Sequence, residues 1–227
     1  GGDSRKKYAI FGNRSDKDVV MRNVYIGHGK AYQNDSAEAR LFLEDVCALS
    51  HYYYSQGSEE IKGEALEEAV PQFDFGDQEV WARQFDPEQT ETKILVDGGQ
   101  LWTLGLKTEE DGMVLHAKNG ARVEMFGGTI LPSFPVQDST PIVKIENSDA
   151  TIIMGEHAGF RNFNRGGYYK RILTEVRGDE TTHYDRGQFP YRLASNSTPV
   201  SVIPFYTARG AATVSVADEV DFGKLKV

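Results

Sequence analysis

Breaking a glycosidic bond takes two carboxyl groups. One is protonated to donate to the leaving oxygen, and the other acts as base or nucleophile, roughly 5.5 Å or 6.5–9.5 Å away. Glu124 and Glu146 are the catalytic candidates of that type, with Asp97 and Glu156 in comparable places on neighbouring repeats. Asp97 falls at a turn, where Asp is already explained by local backbone bonding. With 34 acidic residues in the chain, a chance pair also comes easily. Elimination from a uronic acid asks for other groups: a base for the proton α to the carboxylate, and a cation that neutralises that carboxylate. Lys170, Arg171 and His183 have the right types to be catalytic, with Arg186 beside them. Arg161, Arg165, Tyr168 and Tyr169 interleave as substrate-binding candidates. The charge run itself favours a simpler reading, a solvated basic loop offsetting local acidity. His116 stands alone within a strand run and reads as a packed or solvated histidine rather than a base.

Aromatic rings could supply a sugar platform, because a flat apolar ring stacks on a pyranose face. Trp81 and Trp102 both lie in strand text, which predicts burial in the core. Tyr52, Tyr53 and Tyr54 occupy a loop and are better placed as substrate-binding residues. No metal site is expected from the residue pattern: five His without a Cys pair do not make a structural zinc centre, and Ca²⁺ enters only with the elimination chemistry.

The elements that must position these residues are written three times between Ile94 and Glu156. Each copy is a β-rich run, a tight turn, a second β-rich run and a Gly: Ile94 to Lys107, Val114 to Gly128, and Ile142 to Glu156. The turn residues Asp97, Asn119 and Asn147 are 22 and then 28 positions apart, and Gly105, Gly127 and Gly155 keep the same intervals. A constant internal offset with a variable spacer predicts stacked coils whose loops differ in length on one face. Two short strands cannot hide an apolar face alone, so each unit must sit on a copy of itself. Asn-Gly and Asp-Gly also signal hairpins, and an antiparallel sandwich is the competing architecture.

Outside the repeats, strands are expected at Tyr8 to Phe11, Val19 to Ile26, Arg40 to Cys47 and Gln78 to Glu88, with only Asp45 out of step in the third. Asn23 is read as solvated rather than as part of an inward amide ladder. Residues 51–75 read as a lateral insertion, with a short helix from Ser58 to Val70 capped by Ser58. Ile172 to Val176 and Tyr191 to Leu193 are further strands. Val200 to Tyr206 contains Pro204 and suits an edge or end strand. Residues 211–227 are expected to be a tail or cap. The whole of 1–227 is read as one domain.

Composition narrows the partners. Charged residues make up 26% and hydrophobic ones 39%, with no apolar run long enough for a membrane span. A net charge of −9 opposes nucleic-acid binding, which needs a basic face, and disfavours a polyanionic ligand while leaving neutral polymers open. Cys47 is the only cysteine and reads as a buried small hydrophobe. The chain opens on Gly1-Gly2 without Met or a signal segment, which suggests an excised domain and does not fix its compartment.

The strings VWARQFDPE (Val80 to Glu88), VDGGQLWTLGLKTE (Val96 to Glu109) and VEMFGG (Val123 to Gly128) resemble the C-terminal coils of bacterial pectate-lyase-superfamily proteins. RLFLEDVC (Arg40 to Cys47) and SVIPFYTAR (Ser201 to Arg209) look like segments of the same family. The resemblance implies an all-β, right-handed parallel β-helix of the pectin-lyase-like fold. It further implies an extracellular or periplasmic protein that binds or cleaves a polysaccharide as lyase or glycoside hydrolase, with part of its catalytic groove upstream. That fold hosts unrelated activities, so no catalytic residue transfers by position. A non-catalytic scaffold or adhesin, and an intracellular antiparallel β domain, are the two alternatives. Parallel or antiparallel strand pairing separates the last from the others.

Overall fold

The computed structural model describes residues 9–27, 30–36, 38–49, 71–88, 92–158, 167–189, 192–193, 201–202 and 205–208. The chain is all-β and divides its first thirteen strands between two sheets by parity. The odd strands are β1 (Phe11–Asn13), β3 (Tyr32–Asn34), β5 (Phe73–Asp74), β7 (Ile94–Asp97), β9 (Leu115–Lys118), β11 (Pro141–Glu146) and β13 (Arg171–Arg177). They pair in that order, all parallel. The even strands are longer: β2 (Val19–Ile26), β4 (Leu41–Leu49), β6 (Glu79–Glu88), β8 (Gln100–Glu109), β10 (Arg122–Leu131) and β12 (Asp149–Glu156). They too are parallel neighbours in sequence order. Each odd–even pair is therefore one layer, and parallel pairing rules out the antiparallel sandwich.

The core lies between the sheets. Leu41, Val80, Leu101, Val123 and Ala150 form one buried column of the even sheet, in register across successive strands. Ile94, Leu115 and Val143 form a facing one in the odd sheet. Phe73, Phe75 and Phe85 pack ring against ring at 4.7–6.4 Å. Because the side-chain period of a strand is two, every second residue points out, and the outer faces carry whatever chemistry the fold displays.

Two corners shape each layer. At the first, between odd and even strand, the expected turn residues stack: Asn119 Nδ2 donates to Asp97 Oδ1 at 2.6 Å, and the Gly178 amide donates to Asn147 Oδ1 at 2.8 Å. Asn119 and Asn147 adopt positive φ (57° and 47°), which Asn tolerates best after Gly. The second corner lies inside the even strands. Asn23, Asp45, Gln84, Gly105 and Gly127 all have positive φ, between 52° and 75°, and stand at equivalent places in β2, β4, β6, β8 and β10. One left-handed residue in each strand bends it, and the bends stack. Asp45 is thus the bend residue of its strand, which is why it breaks the alternation. Asn23 is exposed, as expected. Gly155, by contrast, does not continue the column: it is in register with Thr129, so β12 passes the corner without the extra residue.

The layers end in antiparallel strands. β14 (Glu180–Asp185) folds back on β13, while β16 (Ser201–Val202) and β17 (Phe205–Ala208) pair antiparallel with β12. β15 (Arg192–Leu193) completes that edge. The end-strand role expected near Pro204 is met by β16 and β17. Within the expected insertion 51–75, Phe73–Asp74 is instead β5, and Phe73 is fully buried between β3 and β7. Ser58 to Val70, Tyr8 and residues 211–227 lie outside the described residues. No helix long and apolar enough to cross a membrane occurs among the described residues.

Candidate functional site

Ahead of the bend, the outward side chains of the even sheet form two columns. Val20, Phe42, Trp81, Trp102 and Glu124 make the first; Arg22, Glu44, Arg83, Leu104 and Phe126 make the second. Together they line a groove of about 450 Å³ running across the layers. Its floor is a stack of rings. Phe42 lies on Trp81 with centroids 5.1 Å apart and planes 12° apart, and Trp81 lies on Trp102 at 4.9 Å and 11°. The strand spacing of ~4.8 Å imposes this geometry on identical columns. Trp81 and Trp102 are half-buried on the outer face, not in the core as their strand context predicts. Their parity is opposite to that of Val80 and Leu101, which take the inward places.

The second column supplies polar and apolar edges. Arg22 Nε contacts Glu44 Oε2 at 2.9 Å, and Arg83 pairs with the other oxygen of the same carboxylate. Arg83 holds Glu44 below the usual carboxylate range. Leu104 and Phe126 continue the wall and are 63% and 38% exposed. Of the expected catalytic residues, Glu124 alone lines this groove, fully outward.

Beyond the bend, a second group gathers around Lys107, and sequence reasoning missed it. Lys107 Nζ lies 3.4 Å from Asp86 Oδ2 and 3.0 Å from Glu109 Oε1, and it pairs with Glu88 as well. Ser133 Oγ donates to Glu109 Oε2 at 3.2 Å. Burial, then the neighbouring Glu88, push the Asp86 carboxyl up to about 7. Lys107 stays above its ordinary range: burial opposes its charge, but Glu88 and Glu109 outweigh it. Cys47 Sγ is 3.7 Å from Asp86 Oδ2 and half-buried rather than a core hydrophobe. Burial and the Asp86 charge push its thiol up to about 12, so it is not a nucleophile at neutral pH. The legible signal was the spacing: Asp86 and Glu88, then Lys107 and Glu109, alternate on one strand face and lie one layer apart.

The remaining candidates disperse. Glu146 is on the odd sheet, opposite in parity to Glu124, and accepts from Lys144 Nζ at 2.8 Å and His116 Nε2 at 3.2 Å. Lys144 holds its carboxyl below the ordinary range. Burial lowers His116, only partly offset by Glu146, so the ring is neutral near pH 7. His183 Nδ1 bonds Thr174 Oγ1 at 3.1 Å on the same sheet. Lys170 pairs with Asp138 at 2.5 Å and Arg171 with Asp185 at 3.5 Å, both exposed ion pairs.

Tyr169 does not face a ligand: it is fully buried, and its hydroxyl donates to the Gly112 carbonyl at 2.6 Å. Arg186 covers the Tyr168 ring at 5.3 Å and bonds the buried Glu156 at 2.6 Å, a clasp that closes the connection from β12 to β13. Glu156 is thereby structural. Tyr52, Tyr53, Tyr54, Arg161 and Arg165 lie outside the described residues. Among the described residues no group of three or more His, Cys, Asp or Glu side chains is arranged to hold a metal ion.

No protein-family profile, curated protein or solved structure matches this chain.

Proposed function

We propose that the chain is a right-handed parallel β-helix of the pectin-lyase-like kind that binds an extracellular or periplasmic polysaccharide along the groove of its even sheet. The alternation of successive strands between two parallel sheets supports the coil, and the near-universal right-handed crossover supports its hand. The groove carries the functional reading: it is apolar along its floor, charged along one wall, and runs across the layers as an extended polymer would. Its volume lies in the range of ligand sites.

Trp81, stacked on both faces, offers the groove only its edge, so contact with sugar falls to the indole edges, Leu104 and Phe126. Arg22, Glu44 and Arg83 offer donors and acceptors to hydroxyl groups. Both signs of charge on that wall, within a chain of net charge −9, favour a neutral polymer over a uronic one. Calorimetry and affinity electrophoresis against neutral and uronic polysaccharides test the reading. A neutral polymer should bind, and Leu104→Asp should abolish binding without loss of fold. Failure of every polymer to bind removes it.

Cleavage is the second reading, and the raised carboxyl of Asp86 beside two further carboxylates favours it. A protonated acid near neutral pH is what hydrolysis needs. New reducing ends without unsaturated, ultraviolet-absorbing ends would mark hydrolysis; unsaturated ends would mark elimination. Binding without either product would make the domain a non-catalytic scaffold or adhesin.

A further inference from the structure

The column of rings on the even sheet stops partway across the layers. Phe42, Trp81 and Trp102 stack in turn, but the residue in register with Trp102 on the next strand is Glu124, followed by Thr151. Trp102 therefore has a ring against one face only, and its other face looks across a step towards a carboxylate. Glu124 is exposed and, among the described residues, makes no hydrogen bond or ion pair. Leu104 and Phe126 wall the step, both exposed to the groove. Arg122, the next outward residue back along β10, makes no ion pair with Glu124 and does not line the groove.

The other carboxylate of the groove is fully engaged. Glu44 receives Arg22 Nε at 2.9 Å on one oxygen and Arg83 on the other, so two guanidinium groups share one carboxylate. Charge along the groove thus changes sign, with an excess cation around Glu44 and an uncompensated anion at Glu124. A carboxylate beside an open indole face suits a cation. The ring quadrupole attracts the positive charge, and the carboxylate accepts a charge-assisted hydrogen bond from it. An anion would be repelled there, and a hydroxyl would gain only an ordinary hydrogen bond.

We infer that this step takes an ammonium group carried by the polymer, so that the ligand is a largely neutral polysaccharide interrupted by free amino sugars. The inference rests on the groove reading above and narrows it. A polymer with an amine on every sugar fits less well, because it would set ammonium groups beside Arg22 and Arg83. One amine over Glu124, with uncharged sugars over the guanidinium groups, matches both ends. The net charge of −9 favours approach of such a ligand as well.

Calorimetry with two oligosaccharides of equal length tests this. One is a fully N-acetylated glucosamine oligomer, which is neutral; the other is the same oligomer with one free amine, at a mildly acidic pH where that amine is protonated. The aminated oligomer should bind roughly five- to tenfold more tightly, and added salt should shrink the difference. Glu124→Gln should erase the difference with the thermal midpoint unchanged, because position 124 is exposed, and Trp102→Leu should reduce it. Equal binding of the two, or binding of neither while another neutral polymer binds, overturns the inference and leaves the groove reading in place. Failure of every polymer removes both. A preference that survives Glu124→Gln also overturns it. So does an oligolysine peptide that binds through Glu124 while the aminated oligomer gains nothing, since the occupant would then be a basic protein segment.

Discussion

Trp81 and Trp102 lie face on face, 4.9 Å apart and within 11° of parallel, on the outer surface of the even sheet. With Phe42 on the other side of Trp81, both faces of the central indole are occupied by protein. The rings therefore fasten successive layers, and the central indole meets the groove only by its edge.

Replacing Trp102 by Ala should cost about 1–2 kcal/mol, from lost stacking and partial burial, rather than the ~3–5 kcal/mol of a core aromatic. Urea denaturation measures the difference. Trp102→Phe should recover most of the loss because a ring of similar orientation remains.

The bend column makes an opposite pair of predictions. Gln84 holds φ of 52°, a conformation costly for a side chain with a Cβ, whereas Gly105 in the next layer holds 75° without that cost. Gln84→Gly should raise stability by about 0.5–1 kcal/mol, and Gly105→Val should lower it by at least about 1 kcal/mol. Equal effects of the same sign would show that the bend does not govern either position.

Gly99 closes the first corner at near-contact distance. A Cβ there would lie 2.8 Å from the Gln78 nitrogen, and backbone cannot move aside cheaply. Gly99→Ala should destabilise by about 2 kcal/mol or more. Gly120→Ala, at φ of 81° with open space around it, should cost only about 1 kcal/mol. Thermal or chemical denaturation of the two variants checks the ordering.

Asp86 and Glu110 both sit at about 7, raised chiefly by burial, from ordinary values of 3.8 and 4.5. Between those limits the folded chain holds more protons than the unfolded one, so each group's contribution to stability is full at low pH and is lost as pH rises towards 7. Stability should therefore gain from these two groups as pH falls from 7 towards 4, against the usual acid trend. Asp86→Asn should flatten that part of the curve measured by denaturant midpoint. An unchanged slope would show that Asp86 ionises normally.

Much of the layering was legible because Asp97, Asn119 and Asn147 repeat at turn positions and do stack. Parity was harder to read. Trp81 and Trp102 look like core residues by type, but Val80 and Leu101 beside them already claim the inward side. A period of two fixes which residues share a face, but not which face is covered. Asp45 spoiled an otherwise clean alternation, and that irregularity was the trace of the bend. Gly155 kept the interval of Gly105 and Gly127 while losing their role, because β12 omits the extra residue and Gly155 falls opposite Thr129. The candidate site scattered for a related reason. Spacing along the chain says that Glu124 and Glu146 belong to adjacent layers, but they stand on opposite sheets. Asp86, Lys107 and Glu109 share a sheet and meet.

The two edges of the stack have unequal freedom. From odd to even strand the chain passes through corners such as Asp97 to Gln100, where backbone touches backbone at Gly99. From even to odd strand it crosses stretches as different as 110–114 and 132–140. Descendants of this sequence can lengthen, shorten or redecorate the second seam without disturbing how the layers meet, while an addition at the tight corners of the later layers, 98–99 and 147–148, would pry them apart; the first layers already carry longer stretches there, 14–18 and 35–40. New specificities should accordingly arise by grafting at one margin of the molecule and leave the tight corners of the later layers nearly frozen.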